Sequence, residues 1–418
     1  MVRAVFPLLR RLKQEPAGNV AAIAAIFLPF LVGAAGLAVD TTQWTYWRRQ
    51  LQREADSAAL AGAFARAQSK DPVAAASNDL GRTNTLVLSA PADIRSAPTA
   101  GAFAGNPQAV RVRLSTAQRL PFSGSFLLAT PAIYATATAA VVSNGDYCAL
   151  ALSPSAASAG IRMQGSASLN FGCGLATNSQ AANAVSAGGS SSITATPVSA
   201  VGGLAASSNY VGGTQLLPYS LPQPDPFANL PVPSPSGCTG QLNVGPNSTR
   251  TLSPGCYGGM DLKGTVTLNP GTYYIDGGSF SVGSQAVVTG DGVTIILTSS
   301  NAVSNPSSIA TLDVNGGATL QLTAPTSGTY KGILFYQDRR ALDSGANTLN
   351  GNASSRLQGA LYFPSQELDF TGTSGMTTDC LQLVAARLTF LGNTSVSNQC
   401  PAASGAASFK GVQVRLVE

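Results

Sequence analysis

The chain has 418 residues and a formal net charge of +5. Only 10% of its residues are charged, against about 25% in an ordinary soluble domain. This length predicts two or more domains with a buried core. The chain contains no histidine, which excludes Ser-His-Asp and Cys-His catalysis and histidine-ligated metal sites. Its 44 glycines are typical of short strands joined by many turns rather than of a helical enzyme.

The first 40 residues predict a basic cytoplasmic tail, residues 1–16, followed by a transmembrane helix, residues 17–40. The tail holds four basic residues and one acidic residue: Arg3, Arg10, Arg11, Lys13 and Glu15. Residues 17–39 are uncharged, and a helix over residues 20–39 would be about 30 Å long, the thickness of the hydrocarbon core. The excess of basic residues then places the tail in the cytoplasm and the rest of the chain beyond the membrane. Because this cluster supplies part of the net charge, that charge does not indicate nucleic-acid binding.

A cleaved signal peptide is the alternative to a retained anchor, since residues 36–38 (GLA) resemble a cleavage site. Two features favour the anchor. The apolar run is longer than the roughly 7–15 residues of a signal peptide. No helix breaker follows it; residues 44–47 (WTYW) instead supply the aromatic side chains expected at a membrane–water boundary.

The membrane helix is predicted to continue as an amphipathic helix. Trp44, Trp47, Leu51 and Ala55 begin a stripe of apolar and small residues at spacings of three and four, one face of a helix. Two interpretations are open: the stripe packs on the chain's own following strands, or it docks on the helix of a partner protein. These four residues are therefore the candidate partner-docking residues. The dipeptide at residues 71–72 (DP) is expected to end the helix.

Residues 41–145 are predicted to form one domain, the helix followed by a small antiparallel sheet. Residues 86–88, 109–114 and 133–142 alternate as strands do, and a turn signal (NGD) follows at residues 144–146.

Residues 146–418 are predicted to form a β-solenoid rich in Gly, Ser and Asn. Short segments that begin with glycine recur at residues 165–169, 264–268, 317–320 and 392–396. A drifting repeat of about 20 residues with β-branched alternation is typical of stacked coils that bury a common core. A two-sheet β-sandwich is the alternative, although its spacing of about 8–12 residues is shorter. Residues 217–236 contain seven prolines and are predicted to run extended across the surface as a connector.

The six cysteines all follow the predicted span and predict three disulfides in an oxidising compartment. They are Cys148, Cys173, Cys238, Cys256, Cys380 and Cys400. Fifteen pairings are open in principle; the sequential set, 148–173, 238–256 and 380–400, closes three short local loops and is the one we expect. Zinc binding is disfavoured because the chain has no C-x-x-C pair.

The acidic residues of the repeats are expected mainly to cap turns, with a shared carboxylate or calcium site as the alternative. They are Asp261, Asp276, Asp291, Asp313, Asp338, Asp343, Asp369 and Asp379. Residues 338–340 (DRR) concentrate charge at the end of an apolar strand, which predicts either a solvated strand end or a recognition site. No phosphate-binding loop or dinucleotide fingerprint is present in the sequence.

Three segments near the N-terminus carry a family resemblance: residues 18–24 (GNVAAIA), 36–40 (GLAVD) and 48–63 (RRQLQREADSAALAGA). Together they resemble the TadG-like N-terminal module of Flp/Tad pilus-assembly proteins of the TadE/TadG group. The resemblance implies a single-pass inner-membrane protein of a Gram-negative bacterium that assembles or anchors a tight-adherence pilus. Many TadG proteins also carry a von Willebrand A metal site, but Ser153 stands where its aspartate would be. Processed Tad pilins have glutamate five residues after the cleaved glycine, where this chain has Ile23.

The sequence therefore predicts a mainly β, non-enzymatic, membrane-anchored component of Tad pilus assembly or anchoring, without cofactor or metal. Its expected partners are Tad machinery proteins or pseudopilins and the inner membrane, with no nucleic acid. Its expected location is the inner membrane, with the N-terminus cytoplasmic and the C-terminal domain periplasmic or reaching the surface. The first alternative is an adhesin or carbohydrate-binding solenoid that contacts a surface glycan. A polysaccharide-cleaving enzyme is the second alternative.

Overall fold

The computed structural model describes residues 18–418 except 171, 351, 353, 373–375, 379, 394 and 399–407. The described chain divides into two compact units. The first extends to Val142 and also includes Val414–Glu418, and the second is Ser143–Gln413.

Two helices open the first unit. Helix α1, Gly18–Ala67, has 50 residues and is about 75 Å long. A turn with Ser69 in the left-handed region ends it. Helix α2, Pro72–Thr83, then begins with the Asp71 side chain accepting hydrogen bonds from the N–H groups of Val73 and Ala74 at 2.9 and 3.2 Å. An aspartate cap followed by proline at the first helical position satisfies N–H groups that the helix leaves free.

A small antiparallel sheet packs against both helices. Its strands are β1 Asp93–Ser96, β2 Ala109–Thr116 and the first part of β3 Ile133–Ala151, which continues into the second unit. A short 3-10 helix, Ser123–Ser125, lies in the loop between β2 and β3. The core between sheet and helices is formed by Leu51, Ala55, Ala58, Ala59, Ala63, Ala76, Leu80, Val112, Leu114, Ile133, Ala135, Ala137 and Ala139.

The second unit is built from short parallel strands. The strands before the connector are β4 Ile161–Gly165, β5 Ser168–Asn170, β6 Gly174–Thr177, β7 Val185–Ala187, β8 Ser192–Thr194, β9 Val198–Ala200 and β10 Leu216–Leu217. Those after it begin with β11 Leu242–Val244, β12 Thr249–Leu252, β13 Gly255–Tyr257, β14 Met260–Leu262, β15 Thr265–Leu268, β16 Gly271–Asp276, β17 Ser279–Val282, β18 Val287–Gly290 and β19 Val293–Thr298. A 3-10 helix, Pro306–Ser308, precedes β20 Thr311–Val314, β21 Thr319–Thr323, β22 Ile333–Gln337, β23 Ala346–Leu349 and β24 Arg356–Gly372. The last strands are β25 Met376–Thr378, β26 Cys380–Gly392, β27 Ser395–Asn398 and β28 Phe409–Leu416.

These strands form a solenoid in which each strand pairs in parallel with the one three places further along the chain. Thus β11 pairs with β14, β12 with β15 and β13 with β16, and the pattern repeats through β23. Each coil therefore supplies three strands. Alternate residues point inward, as in β15, where Val266 and Leu268 are buried and Thr265 and Thr267 are exposed. The predicted fold class, a mainly β chain with an apolar N-terminal helix, a small antiparallel sheet and a solenoid, is confirmed.

Like residues stack along the interior of the solenoid. The rings of Phe370 and Phe390, partners in the β24–β26 register, lie parallel with centroids 5.0 Å apart. Phe280 and Phe335 meet edge to face at 5.8 Å. Because one coil cannot enclose its own apolar side chains, this stacking makes a single continuous core.

The order of the coils does not follow the chain. Strand β26 pairs with β3 and β4, so the coils after the connector stack on those before it. Eight pairings of described strands lead from β9 through β6, β3, β26, β24, β22, β19 and β16 to β13. At about 4.8 Å per pairing, this distance is roughly 38 Å. The connector after β10 must cover it to reach β11.

Candidate functional site

The first half of α1 exposes its apolar side chains. Its large apolar side chains are each at least 55% exposed: Val20, Ile23, Ile26, Phe27, Leu28, Phe30, Leu31, Val32, Leu37 and Val39. Among the residues that the structure describes, one helix is long and apolar enough to span a membrane, and it contains this segment. A helix that is apolar all round needs either a protein core or lipid about it.

The second half of α1 packs on the unit's own sheet. Leu51 and Ala55 are completely buried in the core formed with β2 and β3. Trp44 and Trp47 lie at the rim of that core and keep part of their surface exposed, and the guanidinium of Arg48 lies 5.5 Å from the Trp44 ring centroid. Of the four predicted partner-docking residues, Leu51 and Ala55 are therefore buried within this unit, and Trp44 and Trp47 keep exposed surface. The chain's own strands already cover Leu51 and Ala55, the first of the two interpretations of the stripe.

Gly62 explains why small residues dominate the stripe. A Cβ atom added there would lie 2.8 Å from Cγ1 of Val110 and 3.0 Å from the carbonyl oxygen of Pro72. Strand β2 and the start of α2 therefore approach the α1 backbone closely, and a side chain at Gly62 would force them apart.

Asp40 binds the β2–β3 loop to the end of the apolar segment. Its carboxylate is 4% exposed and accepts hydrogen bonds from the N–H groups of Phe122 at 2.8 Å and Ser123 at 2.6 Å. The carboxylate thus caps the start of the short helix Ser123–Ser125 from another part of the chain. The interpretation of the sequence missed this role; the signal was a single acidic residue directly after 23 uncharged ones.

Glu54 makes a second connection of the same kind. It is 4% exposed, and its Oε1 atom accepts hydrogen bonds from the N–H and hydroxyl groups of Thr85, both at 3.0 Å, and from Gln50 at 3.4 Å. The segment after α2 is thereby held against α1. Both acidic residues lie in segments that carry the family resemblance, and both act here by fixing backbone.

Comparison with known families identifies this region. Residues 18–68 match the Flp pilus-assembly TadE/G-like family. The match confirms the resemblance that the N-terminal segments indicated, and it covers α1 together with the turn after it. We call residues 18–68 the Tad module. It links the chain to the Tad/Flp pilus, and it contains the apolar half of α1, which is long enough to span a membrane. No curated protein and no solved structure matches the chain.

Beyond the Tad module, the residues at 338–340 hold the connector on the solenoid. Arg339 donates hydrogen bonds to the carbonyl oxygens of Phe227 and Leu230, the latter at 2.9 Å, and to the hydroxyl of Tyr362 at 2.8 Å. Tyr362 in turn donates to Asp225 at 2.7 Å. This cluster is thus neither a solvated strand end nor an open recognition site, the two expectations from the sequence, because the connector covers it.

Asp338 and Arg340 extend the same connection. Asp338 is fully buried, accepts from the Thr298 hydroxyl at 2.7 Å and forms an ion pair with Arg340 at 2.5 Å. Burial acts to raise the pKa of Asp338, but hydrogen bonds from Arg340 and Thr298 outweigh it and hold the pKa below its usual range. Arg340 also donates to the carbonyl oxygen of Pro233 at 3.2 Å.

A second charged group lies on the outer face of the solenoid, across β24 and β26. Arg387 forms ion pairs with Asp343 at 2.6 Å and with Glu367 at 3.2 Å. Burial and the neighbouring Glu367 charge raise the pKa of Asp369 to about 6. Burial acts in the same direction on Glu367, but hydrogen bonds from Thr389 and Arg387 hold its pKa below the usual range. The two carboxyls therefore titrate at different pH values, and the group joins neighbouring coils.

Two disulfides staple the second unit, Cys148–Cys173 and Cys238–Cys256. They have the pairings that the sequence predicts. The first joins Cys148 of β3 to Cys173, directly before the paired strand β6, and the second ties the segment before β11 to β13. The third predicted pair, Cys380–Cys400, lies outside the described residues because Cys400 is among those excluded.

Proposed function

We propose that this chain is a non-enzymatic, single-pass inner-membrane component that assembles or anchors the Tad/Flp pilus. The observation that carries the proposal is the division of the Tad module into two halves. One half of α1 presents apolar side chains on every side, and the other half is the central helix of a small folded unit. A helix of this kind fixes a folded domain directly at the membrane surface.

The orientation we propose has the N-terminus in the cytoplasm and the second unit in the periplasm. The basic tail before the span supports it, since basic residues stay on the cytoplasmic side. The disulfides of the second unit support it as well, because disulfides persist in oxidising compartments.

We propose that Trp44 and Trp47, at the edge of the buried stripe, contact the pilus machinery. Leu51 and Ala55 are covered, whereas Trp44 and Trp47 keep part of their surface exposed next to the end of the span. Large aromatic side chains with exposed area are common anchors of protein interfaces. A neighbouring membrane-embedded pseudopilin would reach these two residues by lateral diffusion.

Deletion of the gene in a piliated strain tests the function. We expect loss of surface pili and of attachment, with recovery when the full chain is supplied again. Photo-crosslinking from a p-benzoylphenylalanine at Trp47 in native membranes should give adducts with Tad machinery proteins. A matched probe at the exposed Tyr219 should not give the same adducts. Normal pili in the deletion strain would contradict the proposal.

A surface adhesin that binds a glycan is the second candidate, and one observation favours it. An open groove of about 810 Å³ crosses the outer faces of β15, β18 and β21 and is lined by Thr267, Thr289, Asp291, Gln321 and Arg356 among others. Polar side chains in register along a solenoid face present repeated donors and acceptors, which suits a polymer. Binding of the full chain to a glycan array, lost in an Arg356→Ala variant, would favour this candidate. Release of oligosaccharides would instead favour the enzyme alternative.

A further inference from the structure

The loop between β2 and β3 exposes three consecutive large apolar side chains. Phe126 is 74% exposed, Leu127 is 44% exposed and Leu128 is fully exposed. The sequence has no charged residue between Arg119 and Asp146. Exposing a leucine or phenylalanine to water rather than burying it costs about 1.5–3 kcal/mol. A loop tip of this composition therefore marks a site of contact with an apolar surface.

The loop is fixed beside the last turn of the apolar segment of α1. Asp40 accepts the N–H groups of Phe122 and Ser123. The Phe122 ring lies directly over Gly36, where an added Cβ would overlap the ring. Gly36 precedes Val39, the last apolar residue of the span, by three positions, which is about 4.5 Å along a helix. With the proposed span ending at Val39, Phe122 would lie at the depth of the outer edge of the hydrocarbon core.

We propose that the tip of this loop, residues 126–128, inserts into the bilayer as a second membrane contact beside the span. The occupant of this surface is lipid because the Phe126 ring packs on Phe122, with ring centroids 5.5 Å apart, and Phe122 in turn lies over Gly36 of the apolar segment. Aromatic and aliphatic side chains without charge are those that insert at the boundary between headgroups and acyl chains. The two backbone N–H groups on Asp40 compensate its charge at that boundary. The inference rests on the proposed membrane anchoring.

A second contact restricts how the first unit turns on the membrane. A single helix leaves a domain free to rotate about the helix axis, whereas a helix and an inserted loop define a plane. The rim residues Trp44 and Trp47 would then face one fixed direction along the membrane surface.

Site-specific photo-crosslinking in native membranes tests the inference. The photoreactive p-benzoylphenylalanine is placed at Leu128, at Leu28 in the span, and at Phe64, a 41% exposed aromatic residue of the same helix. Phe64 lies 24 residues beyond Asp40, about 36 Å along α1. We expect phospholipid adducts from Leu128 and Leu28 and none from Phe64.

The outcomes separate this inference from the anchoring itself. Lipid adducts from Leu28 with protein adducts alone from Leu128 would overturn the loop contact and leave the anchor. Absence of lipid adducts from Leu28 as well would overturn the anchor. Equal lipid labelling from Phe64 would overturn the inference, since exposure alone would then explain the result. In an Asp40→Ala background, with folding checked by tryptophan fluorescence, the lipid adducts from Leu128 should be lost while those from Leu28 remain.

Discussion

Leu51→Ala measures how much the stripe contributes to the protein's own fold. Leu51 is completely buried and is the largest α1 side chain of the core between helix and sheet. Truncating such a leucine removes its transfer free energy and leaves a cavity, at a cost of about 3 kcal/mol. For a folded unit of roughly 100 residues, about 4–8 °C is lost per kcal/mol. We therefore expect the melting temperature of the first unit to fall by about 12–24 °C.

The assay uses the two tryptophans of the chain, Trp44 and Trp47. Both border this core, so tryptophan fluorescence, excited selectively over that of tyrosine, reports on the first unit alone during heating. Phe64→Ala is the matched control, because it removes an apolar side chain of the same helix that is 41% exposed, and its effect should stay within about 0.5 kcal/mol. Unchanged melting of the Leu51→Ala protein, together with lost crosslinks to another protein, would refute the packing and restore the stripe as a docking surface.

Two further variants test the second unit. Arg339→Met removes the hydrogen bonds to the connector. Losing about 3 kcal/mol of the free energy that holds the connector down should raise protease cleavage within residues 225–236 about 100-fold. The control is Arg250→Met at an exposed position, and equal cleavage of both variants would contradict the role of Arg339 in holding the connector. Because the pKa of Asp369 is raised from 3.8 to about 6, the folded protein binds this proton more tightly than the unfolded chain. Protonation of Asp369 therefore stabilises the solenoid at low pH, and this stabilisation is lost as pH rises from about 4 to about 6. Above about pH 6 the contribution of Asp369 to the free energy of unfolding is constant. In the Asp369→Asn variant, the denaturant midpoint of unfolding should no longer fall between about pH 4 and pH 6. A midpoint that falls as it does in the unchanged protein would show that Asp369 does not cause this pH dependence.

Several elements of the fold could be predicted from local patterns in the sequence. The uncharged run before Asp40 predicts the span, alternation at residues 109–114 predicts β2, and glycine-initiated repeats predict the solenoid. Each pattern depends on local periodicity, which burial on one face imposes directly.

The order in which the coils stack could not be predicted from local patterns. Pairing between β26 and β3 joins residues more than 200 positions apart, and no local pattern encodes it. One signal was nevertheless present: β19 and β22 have large apolar residues at consecutive positions, 295–297 and 333–336, and both strands are buried at every position. A solenoid strand exposed on its outer face would alternate, so these runs indicate strands covered on both sides. The connector covers them, with Phe227 and Leu230 packed on that outer face.

The function of the stripe could not be decided from spacing. Period 3.6 identifies the face of α1 that is buried, but it does not identify what buries it. Asp40 illustrates the same limit, since its partners Phe122 and Ser123 are more than 80 residues away. The charge itself predicts only that a partner exists.

Fusion of alkaline phosphatase after Glu418 is the most direct test of the central claim, an anchored Tad module that carries an exported solenoid. Residues 414–418 belong to the first unit, where the N–H of Val417 donates to the carbonyl oxygen of Thr138 at 2.8 Å, so the enzyme would report on the compartment of the folded chain. We predict phosphatase activity that stays in the membrane fraction and is released only by detergent. An inactive phosphatase, or an active one released in soluble form, would contradict it.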